Sequence, residues 1–389
     1  MNNATSGQLH VTSWPPVFDW LIGLVSLLAL IGLLQCVAGL VVVRRFVKRI
    51  PPAPLGLPPI TVLRPLCGDE PELEAALTSC FLQDYPRFQV VFGVADAHDP
   101  AIAVADIVRG RFRDRPSALV IDGTMHGSNR KVSNLINMLP KAEHDLLVIC
   151  DSDLHLAPDY LASLAAEMQR PGTGLVTALY TGLPRDSGVW ARLGATQISH
   201  QFLPGVLLSR AFGREDCLGN TTMLHRDTLA RIGGLEGLAS HLAEDNVMGQ
   251  RVRGLGLRIR LAGTVTAAMV PEEDFRALWQ HELRWTRTIR GIAPVGLASS
   301  VLQYPLFWAF LALLVPGGGN AKLVLFGVVW LVRAAAAQGI DRALADRVGR
   351  EASPVGSWLL PIRDVLSVVE VVASFVTNHV SWRGHKMKA

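Results

Sequence analysis

Two carboxylates, Asp151 and Asp153, close a short apolar run, Leu146 to Cys150. The run reads as a strand buried on both faces, and Pro158 announces a helix beyond it. Residues two apart on an extended segment point the same way, so the two acids are expected side by side at the strand's C-terminal edge. Crowded carboxylates repel each other unless a divalent cation or the hydroxyls of a ribose sit between them. A lone pair of this kind is more often a helix cap plus a solvated turn acid. The company of further acids is what points to the ligand crevice of an open α/β sheet.

That company begins with Asp96 in Val94-Ala-Asp96-Ala-His-Asp99, again at the end of a strand, where a capping role is as plausible as a ligand role. In His126-Gly-Ser-Asn-Arg-Lys131-Val-Ser-Asn134 a glycine turn precedes basic residues at a helix start, a place for an anionic nucleotide near Lys131 or simply a solvated face. The spacing is not that of a G-x-x-x-x-G-K-[ST] phosphate loop. Glu244 and Asp245 open a helix towards Val252 that Gly254-Leu-Gly256 ends, before a strand at Leu257 to Leu261. Acids in a first turn also serve as dipole partners. Finally, His281-Glu-Leu-Arg284-Trp285 puts His281, Arg284 and Trp285 on one helical face. A guanidinium fork suits phosphate oxygens and an indole suits stacking. The same stretch, continued by Arg287 and Arg290, also describes a basic amphipathic helix on a membrane surface, and the two readings are compatible.

Acids at strand ends need a scaffold that alternates strands with helices. Strands are expected at Ile60 to Arg64, Gln89 to Ala95, Leu119 to Ile121 and Leu146 to Cys150. Helices are expected at Glu72 to Leu82, Ala101 to Arg111, after Asn129 and after Pro158. This alternation predicts a mostly parallel sheet covered by helices, with ligands at the carboxyl ends of the strands. A further helix, Gly188 to Arg214, carries an apolar stripe (Val189, Leu193, Ile198, Phe202, Leu203, Leu207) that is either ordinary core or a surface for a lipid body.

Half of the 389 residues are hydrophobic and the mean hydropathy is +0.30, which points to membrane segments. Trp20 to Val43 is apolar apart from Ser26 and Gln35, long enough to cross a bilayer core of about 30 Å. Arg44, Arg45, Lys48 and Arg49 follow it, and no Lys or Arg precedes it. The positive-inside rule then makes it an uncleaved anchor with the following domain in the cytoplasm. Beyond the catalytic region, Tyr304 to Val315 and Ala321 to Ala337 read as a helical hairpin around Gly317-Gly-Gly-Asn320. The last run, Val355 to Val380, carries Arg363, Asp364 and Glu370 and is expected to be interfacial or re-entrant, leaving the basic tail (Arg383, Lys386, Lys388) inside. The expected division is 1–50 for the anchor, 51–300 for the catalytic domain after a Pro51 to Pro59 linker, and 301–389 for the C-terminal membrane helices. Five scattered cysteines exclude a disulfide framework and a structural zinc. Asn3-Ala-Thr5 and Asn220-Thr-Thr222 match a glycosylation pattern common by chance. The formal charge of +4 suits an anionic membrane surface better than nucleic acid.

Taken in order, Asp96, then Asp151-Ser-Asp153, then Glu244-Asp245, then x-x-x-Arg284-Trp285 ahead of membrane helices resembles the D, DxD, D, (Q/R)xxRW pattern of membrane-bound inverting glycosyltransferases of the GT-A fold. Within them the chain is similar to the ceramide glucosyltransferase-like group. The strings Leu63-Arg-Pro-Leu66, Gln83-Asp-Tyr-Pro86, Gly127 to Met138 and His281 to Trp285 resemble its hopanoid-biosynthesis-associated branch. The likeness runs from about Pro59 to Pro294. It implies an α/β, Rossmann-like GT-A domain with transmembrane helices at both ends, in a bacterial inner membrane. It implies a UDP-sugar donor, a lipid acceptor and a Mg2+ or Mn2+ ion, with no nucleic acid and no obligate protein partner.

By the same resemblance Asp96 holds the uracil, Asp151 the ribose or diphosphate side and Asp153 the metal. Asp245 is then the general base, with Glu244 and Lys131 beside the donor, and Arg284 and Trp285 line the diphosphate and acceptor. His281 departs from the pattern's Gln or Arg, and a neutral imidazole supplies one donor at most. The implied reaction is one displacement with inversion, N-acetylglucosamine passing from UDP to a hopanoid polyol such as bacteriohopanetetrol. Ceramide with UDP-glucose is the alternative. A processive polysaccharide synthase would need more membrane helices, and a non-catalytic nucleotide-sugar binder would not need acids at all four sites.

Overall fold

The computed structural model describes residues 16–49, 54–348, 356–376, 379–382 and 385–388. Asn3, the start of the Pro51 to Pro59 stretch and Arg383 lie outside the described residues. The first half of the catalytic region alternates as expected: β1 (Ile60–Pro65), α2 (Leu73–Phe81), β2 (Phe88–Val94), α3 (Ala101–Arg111), β3 (Ser117–Ile121), α4 (Arg130–Met138) and β4 (Leu146–Cys150) follow α1 (Pro16–Lys48). The second half runs β5 (Leu154–His155), α5 (Tyr160–Met168), β6 (Thr173–Pro184), α6 (Val189–Gln197), a π-helical turn (Ile198–Phe202), α7 (Leu203–Ala211), β7 (Thr221–His225), α8 (Arg226–Arg231), α9 (Glu244–Gly254), β8 (Arg258–Val270) and α10 (Phe275–Ile292).

These strands form one mixed, mostly parallel sheet of the GT-A type, in the order β3-β2-β1-β4-β7-β6-β8-β5. The β3-β2-β1-β4 block is parallel, with Val62 between Val90 and Val148. β7 joins β4 and β6 antiparallel, and β6 and β8 run parallel. Alternate residues of one strand feed two cores, which is why the strands read as unbroken apolar runs. Ile60, Val62 and Val90 pack under α2, α3 and α5 with Leu77, Phe81 and Leu164. Leu63, Val91 and Leu147 pack under α4, α8 and α9 with Leu135, Leu229 and Val252. Burying each such aliphatic side chain is worth about 1.5–3 kcal/mol. Asn129 starts α4 by accepting the Val132 N–H at 3.1 Å, and Gly256, at φ 74°, turns the chain after α9.

Two expectations need correction, and two further readings are decided. β8 extends to Val270 instead of ending at Leu261, because its C-terminal half gains partners in β6 and β5 that lie far away in sequence. Asp151 and Asp153 do not share an extended segment: β4 stops at Cys150, and residues 152–153 form a turn before β5. The Gly188 to Arg214 stripe is core and not a lipid surface: Leu193 packs on Leu278 and Leu359, Ile198 joins the main core and Leu203 packs on Leu179 and Val265. Thr222 of the Asn220 pattern is buried in β7, in keeping with the reading of that match as chance.

Among the described residues two helices are long and apolar enough to cross a membrane, Val17–Lys48 and Ala321–Ala345. After α11 (Pro294–Ser299) come α12 (Pro305–Leu314), α13 (Ala321–Val348) and α14 (Leu360–Ser374). The expected Tyr304 to Val315 leg is only ten residues of helix, about 15 Å long, and with residues 294–303 it forms a pair bent by 69°. The expected Val355 to Val380 run stops at Ser374; its 15 residues rise about 22 Å, short of a bilayer core. β9 (His379–Trp382) and β10 (His385–Lys388) follow as an antiparallel pair. α1, α12, α13 and α14 pack together around Ala29, Ala309, Val329 and Ala337. Gly32 permits the close approach, since a Cβ there would lie 2.6 Å from the Leu302 carbonyl oxygen. The far ends of α1 and α13 meet the sheet through Val43, Ile340 and Leu344, packed on Leu179 and Val265. Arg347 closes the join by donating to the carbonyls of Val47 and Arg49 at 2.8 and 3.0 Å.

Candidate active site

The turn carrying Asp151 and Asp153 is held from below by Arg64 of β1, whose side chain is fully buried. Its guanidinium donates to the carbonyls of Asp151 (3.2 Å), Ser152 (3.1 Å) and Leu154, and to that of Ala76 in α2 (2.8 Å). A planar fork with five donors can serve carbonyls in several directions at once, which a lysine ammonium cannot. Arg64 was not among the expected site residues, although an arginine inside an apolar strand is itself a signal. Arg64→Met should leave several buried carbonyls unsatisfied and cost about 3 kcal/mol or more, read as a lowered thermal midpoint in detergent. A wild-type midpoint would refute this role.

Above the turn, the structure gathers three of the expected residues, Lys131, Asp151 and Glu244, by direct contact, with Asp245 next to Glu244 at the start of α9. Lys131 Nζ lies 2.6 Å from Asp151 Oδ1 and 3.5 Å from Glu244 Oε1, and donates to the Gly219 carbonyl at 3.3 Å. Burial disfavours its charge, but Asp151, Glu244 and Asp245 outweigh that and hold the ammonium well above its ordinary value. The lysine is therefore turned onto the acids at the mouth of the β4 turn. Asn129, the cap of α4, donates to Glu244 Oε2 at 3.1 Å and to the His241 carbonyl at 2.9 Å, so α4 and α9 are fastened beside the cluster. Asp245 sits in the first turn of α9, where Oδ1 accepts the Asn246 N–H at 2.7 Å. A Cβ at Gly219 would fall 2.8 Å from Asp245 Oδ2, so only glycine leaves room for that carboxylate.

Burial, reinforced by Glu244, pushes the Asp245 carboxyl up to about 6. Burial, then Asp151 and Glu70, pushes Asp153 up to about 7, against the lowering effect of Arg64. Five carboxylates (Glu70, Asp151, Asp153, Glu244, Asp245) thus face two cations, Arg64 and Lys131. Asp153 Oδ1 is buried and accepts no hydrogen bond. Among the described residues no group of three His, Cys, Asp or Glu could hold a metal by itself. One or two carboxylates beside substrate phosphates is the usual setting for Mg2+, so the donor set fits an ion shared with a diphosphate and not a closed protein cage. Tyr180 of β6, which sequence patterning gave no reason to single out, is buried against Phe202 at 4.7 Å between ring centroids. Burial and the charges of Asp245, Asp153 and Asp151 raise its hydroxyl.

Asp96 stands apart from the contacts of this cluster, beyond β2, with 73% of its side chain exposed. It accepts the His98 N–H at 2.9 Å, and that bond lowers its carboxyl below the usual value. The structural acid of this loop is Asp99, which accepts the Gly68 N–H with both oxygens, at 2.9 and 3.0 Å. Asp96 is left open to solvent at the strand end. On α10, begun by Asp274 accepting the Ala277 N–H at 2.7 Å, His281 and Trp285 share a face as expected, with ring centroids 4.5 Å apart. His281 Nδ1 pairs with the buried Glu272, so only Nε2 remains for a ligand. Trp285 packs against the core that includes Tyr180, Ile198 and Ala268, and Arg284 is half-buried one residue before it.

A ceramide glucosyltransferase of Komagataella phaffii is 30% identical over 162 residues, covering 38% of this chain and 32% of that protein. Ceramide glucosyltransferase 1 of Caenorhabditis elegans is 25% identical over 254 residues, covering 61% and 52%. The chain spans from about a fifth to about half of the length of the curated relatives it matches. Among solved structures, a mannosyltransferase from Pyrobaculum calidifontis in complex with GDP-Man and Mn2+ aligns at 18% identity and a TM-score of 0.47, over 90% of this chain and 99% of that one. A score that low says nothing about ligands here. The model of one family, glycosyl transferase family 21, matches residues 24–389, the span that holds every acid of the cluster, and the chain belongs to that family.

Proposed function

We propose that this glycosyltransferase inverts the anomeric centre as it transfers N-acetylglucosamine from UDP to the terminal hydroxyl of a hopanoid polyol such as bacteriohopanetetrol, at the cytoplasmic face of a bacterial inner membrane. The observation that carries the reading is the buried Asp245, poised near neutrality beside Lys131, Glu244 and Asp151. An alcohol is a poor nucleophile at neutral pH, so a carboxylate must accept its proton as the new bond forms. Asp245, raised to about 6, is ionised at pH 7 and still basic enough to take it. Asp151 and Asp153 face the diphosphate side, Asp96 the uracil, and Arg284 and Trp285 the diphosphate and acceptor; His281 offers Nε2 alone. Asp153, with Asp151, would hold Mg2+ or Mn2+, which when bound neutralises charge on the leaving diphosphate.

A lipid acceptor is supported by the candidate membrane helices packed on the sheet and by relatives named ceramide glucosyltransferases. Those relatives also favour a second reading, UDP-glucose and ceramide. The hopanoid choice rests on the Gly127 to Met138 and His281 to Trp285 strings. Mass spectrometry of the lipids made by purified protein, offered UDP-sugars against hopanoid polyols and ceramide, decides between them. A glycosylated ceramide with no glycosylated hopanoid replaces the first choice by the second.

The orientation is testable separately, because Ser187 lies exposed between β6 and α6. A Ser187→Cys variant in a Cys67→Ser background should escape an impermeant thiol reagent on intact cells and react after lysis. Labelling of intact cells would put the site on the side without nucleotide sugars.

A further inference from the structure

Arg363, Asp364 and Glu370 interrupt the final apolar run, and none of them faces water: they are 0%, 0% and 2% exposed. The Arg363 guanidinium donates from Nη1 to both oxygens of Glu282, at 2.9 and 2.8 Å, and from Nη2 to Glu370 at 2.9 Å. Its Nε reaches Ser367 Oγ at 3.1 Å, and Ser367 donates to Gln197 Oε1 at 3.1 Å. Asp364, on the next residue of α14, accepts from Gln201 in the π-helical turn at 3.2 Å and from the Leu306 N–H at 3.1 Å. That turn is fastened in its own right to β6, because Ser199 Oγ bonds Thr181 Oγ1 at 2.7 Å and accepts the Gly182 N–H at 3.1 Å. At the other end of α10, Arg290 donates to the Ser374 carbonyl and lies over the Phe375 ring. Thus α14 runs alongside α10, fixed to it at two levels and fixed to β6 through the π-helical turn.

Glu282 is the neighbour of His281 and lies within one helical turn of Arg284 and Trp285, which places the anchoring carboxylate and the substrate-facing side chains on the same stretch of α10. A rotation or slide of α10 would move all of them relative to Tyr180 and the acids. We propose that Arg363 is a positioning residue for the transfer reaction: through Glu282 and Glu370 it sets the register of α10, and so the placement of Arg284 and Trp285, against β6. This rests on the reading of α10 as part of the site. Two buried acids sharing one guanidinium fix direction as well as distance, which apolar packing of α14 alone would not. A misplacement of about 1 Å in a reacting geometry costs on the order of 100-fold in rate.

The test compares the wild type with Arg363→Met, Arg363→Lys and the charge-free triple variant Glu282→Gln, Arg363→Met, Glu370→Gln, all in detergent. Turnover is read as UDP released with a total-lipid extract, per UDP-binding site counted by calorimetry, so it does not depend on which lipid is the acceptor and does not count unfolded protein. All three variants should still bind UDP with Mn2+ at one site per folded chain, with affinity lowered by up to about tenfold through the displaced Arg284. Turnover per site should fall about 10- to 100-fold in Arg363→Met and in the triple variant, and less in Arg363→Lys, whose ammonium can hold one acid but not both. Wild-type turnover per site in the triple variant overturns the proposal, as does equal loss in all three variants in step with loss of UDP binding. If the wild type itself releases no UDP from any donor, the functional reading fails instead. Hydrogen exchange then decides the positioning: residues 278–286 must exchange faster in Arg363→Met while α4 does not, and unchanged exchange there overturns it.

Discussion

Asp245→Asn is expected to leave UDP-sugar binding intact and to cut turnover by about two to four powers of ten, the usual worth of a general base. The amide keeps the shape of the carboxyl, and the pocket that Gly219 leaves for it is unaltered. What is lost is the ability to take a proton. Because burial and Glu244 hold the carboxyl of the free enzyme near 6, kcat/KM should fall as pH drops through about 6, and the residual rate of the variant should lack that limb. Stability moves the opposite way. A carboxyl whose folded value lies above its ordinary 3.8 contributes stability that is complete below 3.8 and lost as pH rises through about 6. At pH 7.5 the wild type bears that loss and the asparagine does not, so the variant should melt no lower than the wild type. Differential scanning fluorimetry beside the rate measurement separates lost chemistry from lost fold. If calorimetry found UDP binding abolished and turnover near normal, the base would be sought at Glu244.

The second large effect belongs to Asp153. Turnover should vanish in excess EDTA, return with Mg2+ or Mn2+ in the wild type, and not return in Asp153→Ala at any metal concentration. A buried oxygen without a hydrogen-bond partner, in a carboxyl raised to about 7 by burial and by Asp151 and Glu70, is a group awaiting positive charge. Thermal shifts give the same information without turnover. With UDP bound, Mn2+ at about 100 times its Kd should stabilise the wild type by about a further 2.7 kcal/mol, and the variant should show only the response to UDP alone. Full wild-type activity in excess EDTA would remove the metal from the scheme.

The parallel half of the sheet was legible because its strands are continuous apolar runs bounded by turn residues; Leu146–Cys150 and Ala101–Arg111 stand where periodicity puts them. β6 and β7 were not, since their partners are each other, β4 and β8, and short-range patterning carries no record of such pairings. The acids were legible as types at strand ends, and Lys131, Asp151 and Glu244 do meet, with Asp245 next to Glu244. The geometry that makes them a site was not. Asp151 and Asp153 were expected together on an extended segment, whereas a turn braced by Arg64 brings their charges together. The charged residues of α14 looked like exceptions to a membrane rule; their partners, Glu282 and Gln201, lie 81 and 163 residues away. The apolar stripe from Val189 to Leu207 stayed open between core and lipid surface, because helices enclosed by other helices have the same periodicity as helices facing lipid.

The placement of Arg64 also bears on the order in which this protein can be assembled. One of its acceptors, the Ala76 carbonyl, is 12 residues away, but those of Asp151, Ser152 and Leu154 are 87 to 90 residues away. During synthesis β1 leaves the ribosome long before they exist, and a guanidinium denied both water and acceptors is too costly to enclose. The centre of the sheet must therefore stay wet until the segment from Leu146 to Leu154 has been made. At that moment β4 pairs with β1, the charge is sealed, and the turn bearing Asp151 and Asp153 takes its shape. Closing the hydrophobic centre and building the catalytic turn are one event, so a nascent chain too short to do the chemistry is also too short to hide its β1 strand.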